Sequence, residues 1–547
     1  MNKFVKVCLI LTFISISLIL FSYLKSYPVT YNQEEGNTYS NFYPLLWLIL
    51  SISFFSIIYI LCNSNNKFLS MILSLIFVIL FTSPSLFYYT AGSDSAGGYF
   101  GLLESTLVHN IGDSFLASFN YSQWPASLAF TLIVSKLICV PLNEIQKITM
   151  LFIIFVVVSN MFVYFSKKNS KPGINVVTYF MAFYLFLNWQ PVPQVFGLAL
   201  FLTLINLLNK NSKHSILLII TFIPLVFTHA FMGILFIFSI FLIALIQRFS
   251  ILNYPKTYST PLWILLTIQV SYIIYLATSF FQTLIHTVIR NNSMSSQELT
   301  ADQEFAKYGA VAMASHPVGI VDILTKNIAI FNLILLMSIL LISVALSIKR
   351  KKVQPIDFSL FFTGGIFFIL GMFSSILGFR GLQICAIAVA NQIEIFNFGQ
   401  YSKAIMTLIL LVALLFPANM IRMNYDYTSY LTDVDIYGHH FLVEKLKSEN
   451  IKMGGVNTPD YYLTTNGIDG GVIANLQPGY IQYLSTPDNY YMITHLNDTS
   501  LIVLYNEKFT AELKKSPHPI ELDERYVSSN YKFNKIYDTS YQRSYIY

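Results

Sequence analysis

The sequence predicts a polytopic α-helical membrane protein of about thirteen transmembrane helices, followed by a small soluble α/β domain. Three observations carry that reading. Of 547 residues, 55% are hydrophobic and only 11% charged, with a mean hydropathy of +0.59, where a soluble protein carries roughly 25% charge. Apolar segments of spanning length recur up to residue 421, and beyond about Met423 the pattern turns polar. The expected domains are therefore 1–422 in the bilayer and 423–547 in water.

The segments lie near 4–24, 43–62, 68–88, 147–166, 174–190, 194–209, 215–228, 231–247, 262–285, 326–347, 357–378, 381–398 and 403–421. The first follows Lys3 and Lys6 as a signal peptide would. It is long and lacks a small-residue cleavage site, so it reads as a retained anchor. Several others are short for a perpendicular helix and call for tilt or thinning. A weaker segment at 125–142 is interrupted by Lys136.

Short cytoplasmic loops retain Lys and Arg. If 125–142 is re-entrant or incomplete, Lys67, Lys167, Lys168, Lys171, Lys210, Lys213, Arg248, Lys256, the run 349–352 and Lys403 all fall on the N-terminal side. If it crosses fully, everything downstream inverts. The first arrangement is preferred because it gathers every inter-helix basic cluster on one face. It places the loops 25–42, 89–124 and 286–325, the C-terminal domain and the sequons at Asn120, Asn291 and Asn497 outside. The net charge of +6 is thus explained by topology, and no nucleic-acid partner is expected. The four cysteines, Cys8, Cys62, Cys139 and Cys385, all lie in apolar stretches, which gives neither a disulfide framework nor a thiolate metal site.

In the C-terminal part, a helix is expected around Tyr437 to Ser448, with strands at 452–457, 501–505 and 533–537. Asp433-Val-Asp435 resembles a metal-binding acidic pair. It lacks a preceding buried strand, and acidic residues commonly open a helix.

The loop from Tyr88 to Trp124 concentrates the chemistry. It carries Asp94, Glu104, His109 and Asp113, and no Lys or Arg from 89 to 124. A carboxylate where a span leaves the bilayer, such as Asp94, can meet a lipid head group while a water-soluble acceptor still reaches it. Asp94 can equally cap the next helix, and the spacing of the other three is compatible with a cluster without requiring one. Polar groups also mark the outer helix ends: Gln194, His229, His286 with Arg290, His316 and Arg380. Arg380 is the only charge between two apolar segments and can grip a phosphate bidentately, although an Arg can also simply anchor a helix end at the head groups. Walker, zincin and nucleophile-elbow motifs are absent from the sequence.

This order of features resembles the GT-C superfamily of membrane glycosyltransferases, which use polyprenyl-phosphate-linked sugars. The resemblance rests on Ser93-Asp94-Ser95 in an early outer loop, Trp124-Pro125 at its end, Pro193-Gln194 opening a helix, Thr228-His229, Phe379-Arg380-Gly381, and a C-terminal α/β domain. Two spans rather than one precede the acidic loop here. The resemblance implies a transferase in the plasma membrane, moving a sugar from a polyprenyl-phosphate donor to a glycan or protein acceptor on the outer face. Asp94 would be the base or acceptor-orienting carboxylate, with Glu104, His109 and Asp113 beside it. Arg380, with His229, Gln194 and Trp124, would hold the donor. No cofactor is certain; a divalent Mg or Mn ion is the one the resemblance allows. The rival expectations are a transporter or flippase for lipid-linked saccharides and a non-catalytic assembly protein. A transporter predicts matched halves with broken helices, and the sequence offers no such repeat.

Overall fold

In a computed structural model, the described residues are 6–14, 16–17, 44–82, 124–140, 142–183, 193–208, 215–248, 262–277, 354–370, 375–392, 452–455, 501–506, 534–538 and 542–546. After a helical stretch at 6–14, the helices are α1 (Pro44–Asn63), α2 (Lys67–Thr82), α3 (Ala126–Ile138), α4 (Leu142–Ser166), α5 (Pro172–Phe183), α6 (Pro193–Leu208), α7 (Ser215–Thr228), α8 (Ala230–Arg248), α9 (Leu262–Tyr275), α10 (Pro355–Leu370) and α11 (Ser375–Asn391). Within this set the segment Glu144–Ser166 is by itself long and apolar enough to cross a membrane, and eight shorter apolar helices accompany it. The expected spans at 326–347 and 403–421 lie outside the described residues, so the number of crossings is not fixed by these helices.

Apolar side chains fill the bundle and also coat it. Phe54, Phe77, Tyr164, Phe165, Tyr179 and Phe180 are fully buried, whereas Leu137 is 76% exposed, Ile216 75% and Trp263 78%. An outward face of that kind suits hydrocarbon rather than water. Hydroxyls enter such an interior by returning to their own helix. Thr131 donates to the carbonyl of Ser127, Thr178 to Ile174, Thr203 to Ala199 and Ser239 to Leu235, so these four hydroxyls are satisfied within their own helices.

Helix directions follow from pairwise contacts. Phe130 of α3 packs on both Phe152 of α4 and Phe196 of α6, at 6.3 and 5.7 Å between ring centroids. Further along, Asn160 of α4 donates to Thr203 of α6 at 3.2 Å, and Asn206 donates to the Asn160 carbonyl at 2.8 Å. Thus α4 and α6 run parallel, and α3 turns back on α4 through Cys139 in the left-handed region (φ 52°). At 13 residues, α3 is about 20 Å long and falls short of a roughly 30 Å hydrocarbon core.

One end of the bundle gathers positive charge. Lys171 donates to the Ser64 carbonyl at 2.8 Å and to Asn65 at 2.7 Å, in the turn between α1 and α2. Lys67 opens α2, Lys168 follows α4 and Arg248 closes α8 at this same end. At the opposite end Lys147 pairs with Glu144 at 3.2 Å.

The α10–α11 hairpin departs from the expected boundaries. The spacing predicted spans at 357–378 and 381–398 with Arg380 between them; instead α11 starts at Ser375 and Arg380 lies inside it. Gly364 and Gly381 account for the close pairing, because a Cβ on either would fall inside the other's backbone. Two helices can approach this closely only where both lack side chains.

In the C-terminal part, β1 (Lys452–Gly455), β2 (Leu501–Asn506), β3 (Asn534–Asp538) and β4 (Gln542–Ile546) form one sheet in the order β1-β2-β4-β3. β1 pairs parallel with β2, and the other two pairings are antiparallel, with an irregularity between Lys535 and Tyr537. Three of these strands match the expected ones. The helix expected at 437–448 lies outside the described residues.

Candidate functional site

Residues far apart in sequence meet at the end opposite the basic cluster. His229 is the single residue between α7 and α8, and its Nδ1 accepts a hydrogen bond from the Phe231 backbone N–H at 3.2 Å. It therefore acts as the N-cap of α8, satisfying one of the helix's unpaired amides. Accepting at Nδ1 leaves the ring proton on Nε2, so the neutral side chain presents an N–H donor. Burial pushes the His229 pKa well below the ordinary histidine value, and the positive charge of Arg380 pushes it down further. The imidazole is thus held neutral beside a guanidinium.

Gly197 of α6 makes room for this histidine. A Cβ there would lie 3.1 Å from His229 Cβ and 3.1 Å from Met232 Cγ. Gln194, half-buried in the first turn of α6, sits one turn earlier on the same side. Arg380 arrives from α11 and is half-buried. One turn further along α11, Gln383 is buried against the Tyr179 hydroxyl of α5. The arrangement is a cation, a neutral N–H donor, nearby amides and the amino end of a 19-residue helix, all suited to an anion.

Of the expected donor-site residues, Gln194, His229 and Arg380 are thus gathered at one end. Trp124 is buried just ahead of α3, on the far side of Phe130 from the Cys139 turn, deeper in the bundle. Asp94, Glu104, His109 and Asp113 lie outside the described residues, as do His286, Arg290 and His316. Among the described residues no group of three or more His, Cys, Asp or Glu side chains converges as a metal site would require.

Sequence reasoning missed a second polar centre at the basic end. Asp357, in the first turn of α10, is completely buried. Its Oδ1 accepts from the Tyr164 hydroxyl at 2.5 Å and from Asn391 Nδ2 at 2.8 Å. Its Oδ2 accepts from Gln392 Nε2 at 2.7 Å and faces Lys168 Nζ at 3.7 Å. Lys168 in turn donates to Gln392 Oε1 at 2.6 Å, Asn169 to Asn391 Oδ1 at 3.1 Å, and Asn175 to the Ala390 carbonyl at 2.7 Å. Four helix ends, those of α4, α5, α10 and α11, are tied here.

No protein-family model matches the chain, and no curated protein does. Among solved structures it is similar to the Archaeoglobus fulgidus oligosaccharyltransferase in complex with Zn and sulfate, at 13% identity and a TM-score of 0.47, covering 87% of this chain and 72% of that one. It is also similar to ArnT from Cupriavidus metallidurans, at 8% identity and a TM-score of 0.45 in the apo state, covering 83% and 93%. The same enzyme bound to undecaprenyl phosphate matches at 10% identity and a TM-score of 0.39, covering 86% and 97%. Likenesses of this size leave the activity to be argued from the residues themselves.

Proposed function

We propose that the protein is a membrane glycosyltransferase that takes a sugar from a polyprenyl-phosphate-linked donor and transfers it to an acceptor on the outer face. The observation that carries this reading is the approach of Arg380 to the buried His229, 151 positions away in sequence, at the end of an apolar bundle opposite the Lys67, Lys168 and Lys171 cluster. A phosphate monoester or diester on a prenyl tail fits that place: a charged head beside a guanidinium, with hydrocarbon alongside the helices. In this reading the basic end is cytoplasmic, and the Arg380 end and the C-terminal domain face outward.

In the transfer, an acceptor hydroxyl oxygen attacks the anomeric carbon and its proton passes to a carboxylate, for which Asp94 is the candidate. The bond from the anomeric carbon to the phosphate oxygen breaks, and its electron pair stays on the phosphate. Arg380 stabilises the charge developing there, and the His229 N–H is a further donor. A divalent ion, if one is used, would add positive charge at the same oxygens. The candidate carboxylates for holding it are those of the 89–124 loop.

The test is binding of a long-chain polyprenyl phosphate to the purified protein in nanodiscs. Arg380→Gln is expected to weaken it about ten- to a hundredfold, the scale of a hydrogen bond to a charged group. Because the His229 pKa is depressed, the ring is already neutral above the ordinary histidine value and stays so for some way below it. Binding is therefore expected to show no histidine titration between about pH 6 and 8, and any loss through protonation of His229 comes at more acid pH. Failure of the unsubstituted protein to bind, or equal binding by Arg380→Gln, would overturn the reading.

A further inference from the structure

The Asp357 centre lies at the end away from Arg380 and takes no part in the chemistry above, yet both belong to one hairpin. Asp357 is in the first turn of α10, with Asn391 and Gln392 at and just beyond the end of α11. Arg380 stands eleven residues up α11 from Asn391, about 16 Å along the axis. The hairpin between these points is stiff, because the Gly364 and Gly381 backbones touch.

The same hairpin is also tied to the helix that His229 caps. Ser359 of α10 donates to the Ser239 carbonyl of α8 at 2.5 Å, the Ser239 and Thr363 hydroxyls lie within hydrogen-bond distance at 3.2 Å, and Phe238 packs edge-on against Phe367. So α8, α10 and α11 form a unit that carries both His229 and Arg380. Tyr164, Lys168 and Asn169 belong instead to α4 and the turn that follows it. Upstream, α4 leads back through α3 to the 89–124 loop with its candidate carboxylates. Asp357 is the buried charge that joins the two units.

We propose that the Asp357 cluster is a clamp setting where the Arg380–His229 pair stands relative to α4, which makes Asp357 a positioning residue. Every hydrogen bond in the cluster crosses between helices, so its geometry fixes their relative height and rotation. The carboxylate accepts from α4 and α11 at once, and an amide in its place cannot accept from all three donors and carries no charge for Lys168. Loss of the clamp leaves the Arg380–His229 pair intact and lets the two units shift against each other. The functional half of this inference rests on the transferase reading; the positional half does not.

The experiment measures the distance between spin labels at 148 on α4 and 369 on α10, positions whose side chains are exposed, with the exposed Cys139 replaced by Ser. Asp357→Asn is expected to shift or broaden the distribution. Asn206→Leu, which removes a different interhelical bond, is expected to leave it unchanged. Should Asp357→Asn fail to fold, Asn391→Ala removes one donor, keeps the ion pair, and is expected to give a smaller shift of the same kind. In the same proteins, polyprenyl-phosphate affinity is expected to stay within about twofold while sugar transfer falls at least about tenfold, as small misplacements of reacting groups do. An unchanged distance distribution overturns the clamp. So does a collapse of lipid affinity, since the His229–Arg380 pair would then not move as one body. If the unsubstituted protein does not bind the lipid, the transferase reading falls and the distance measurement still decides the clamp.

Discussion

Asp357→Ala is expected to lower the stability of the folded protein by about 3 to 5 kcal/mol, the cost of breaking a buried ion pair from one side. The carboxylate is fully buried, accepts from Tyr164, Asn391 and Gln392, and is paired with Lys168. Removing it leaves the Lys168 ammonium, only 7% exposed at its side chain, without its opposite charge, with the hydrogen bond to Gln392 remaining. A single neutral hydrogen bond between membrane helices is worth less, about 0.6 kcal/mol on average, so the size of the effect separates a charge clamp from ordinary packing. Unfolding in mixed micelles by denaturant measures it. The double variant Asp357→Leu with Lys168→Met is expected to regain much of the loss, because no charge then remains buried. A single-variant effect below about 1 kcal/mol would place the pair among exposed ion pairs in energy, contrary to its burial.

Asp94→Asn is expected to slow sugar transfer by about 10²- to 10⁴-fold, the usual contribution of a general base. The amide keeps the shape of the side chain and removes its ability to take a proton. The readout is a mass-spectrometric profile of polyprenyl-linked saccharides and surface glycans in cells carrying the intact protein, no protein, or Asp94→Asn at matched membrane levels. Accumulated donor and a shortened glycan, equal in the last two, is the expected pattern. If Asp94→Asn matches the intact protein while deletion alters the profile, the base is another residue or the protein moves its lipid-linked saccharide without cutting it.

How much of this could be read from the chain depended on the range of the interaction. Hydropathy located helices such as Pro193–Leu208 and Ala230–Arg248 closely, since the apolar run itself is what the bilayer selects. Polar residues at the ends of such runs marked His229 and Arg380, and the fold brings them together. Strands β1 to β3 were legible from their composition, whereas β4, Gln-Arg-Ser-Tyr-Ile, has little of it and is held by pairing with β2 and β3. The α11 start was misplaced because the charge of Arg380 read as a boundary between two apolar segments, when it lies inside α11 one residue before the Gly381 that lets α10 approach. Asp357 escaped notice for a different reason. Its partners Tyr164 and Lys168 are nearly two hundred residues away, and Asn391 and Gln392 are unremarkable amides after an apolar helix. A carboxylate two residues after Pro355, inside an apolar run, was the available signal.

The left-handed turn at Cys139 gives the chain a built-in reporter of sidedness. Its thiol is exposed, whereas Cys8 and Cys62 are buried and Cys385 is partly covered. The turn lies beyond Phe130 and Phe152, on the side away from Asp357, and so belongs to the same end as His229 and Arg380. A maleimide too polar to cross the membrane, applied to intact cells and then to opened ones, therefore asks of the native protein which compartment its phosphate-suited end addresses. Labelling before the cells are opened means an extracytoplasmic donor and acceptor; labelling only afterwards would turn the whole reaction toward the cytoplasm.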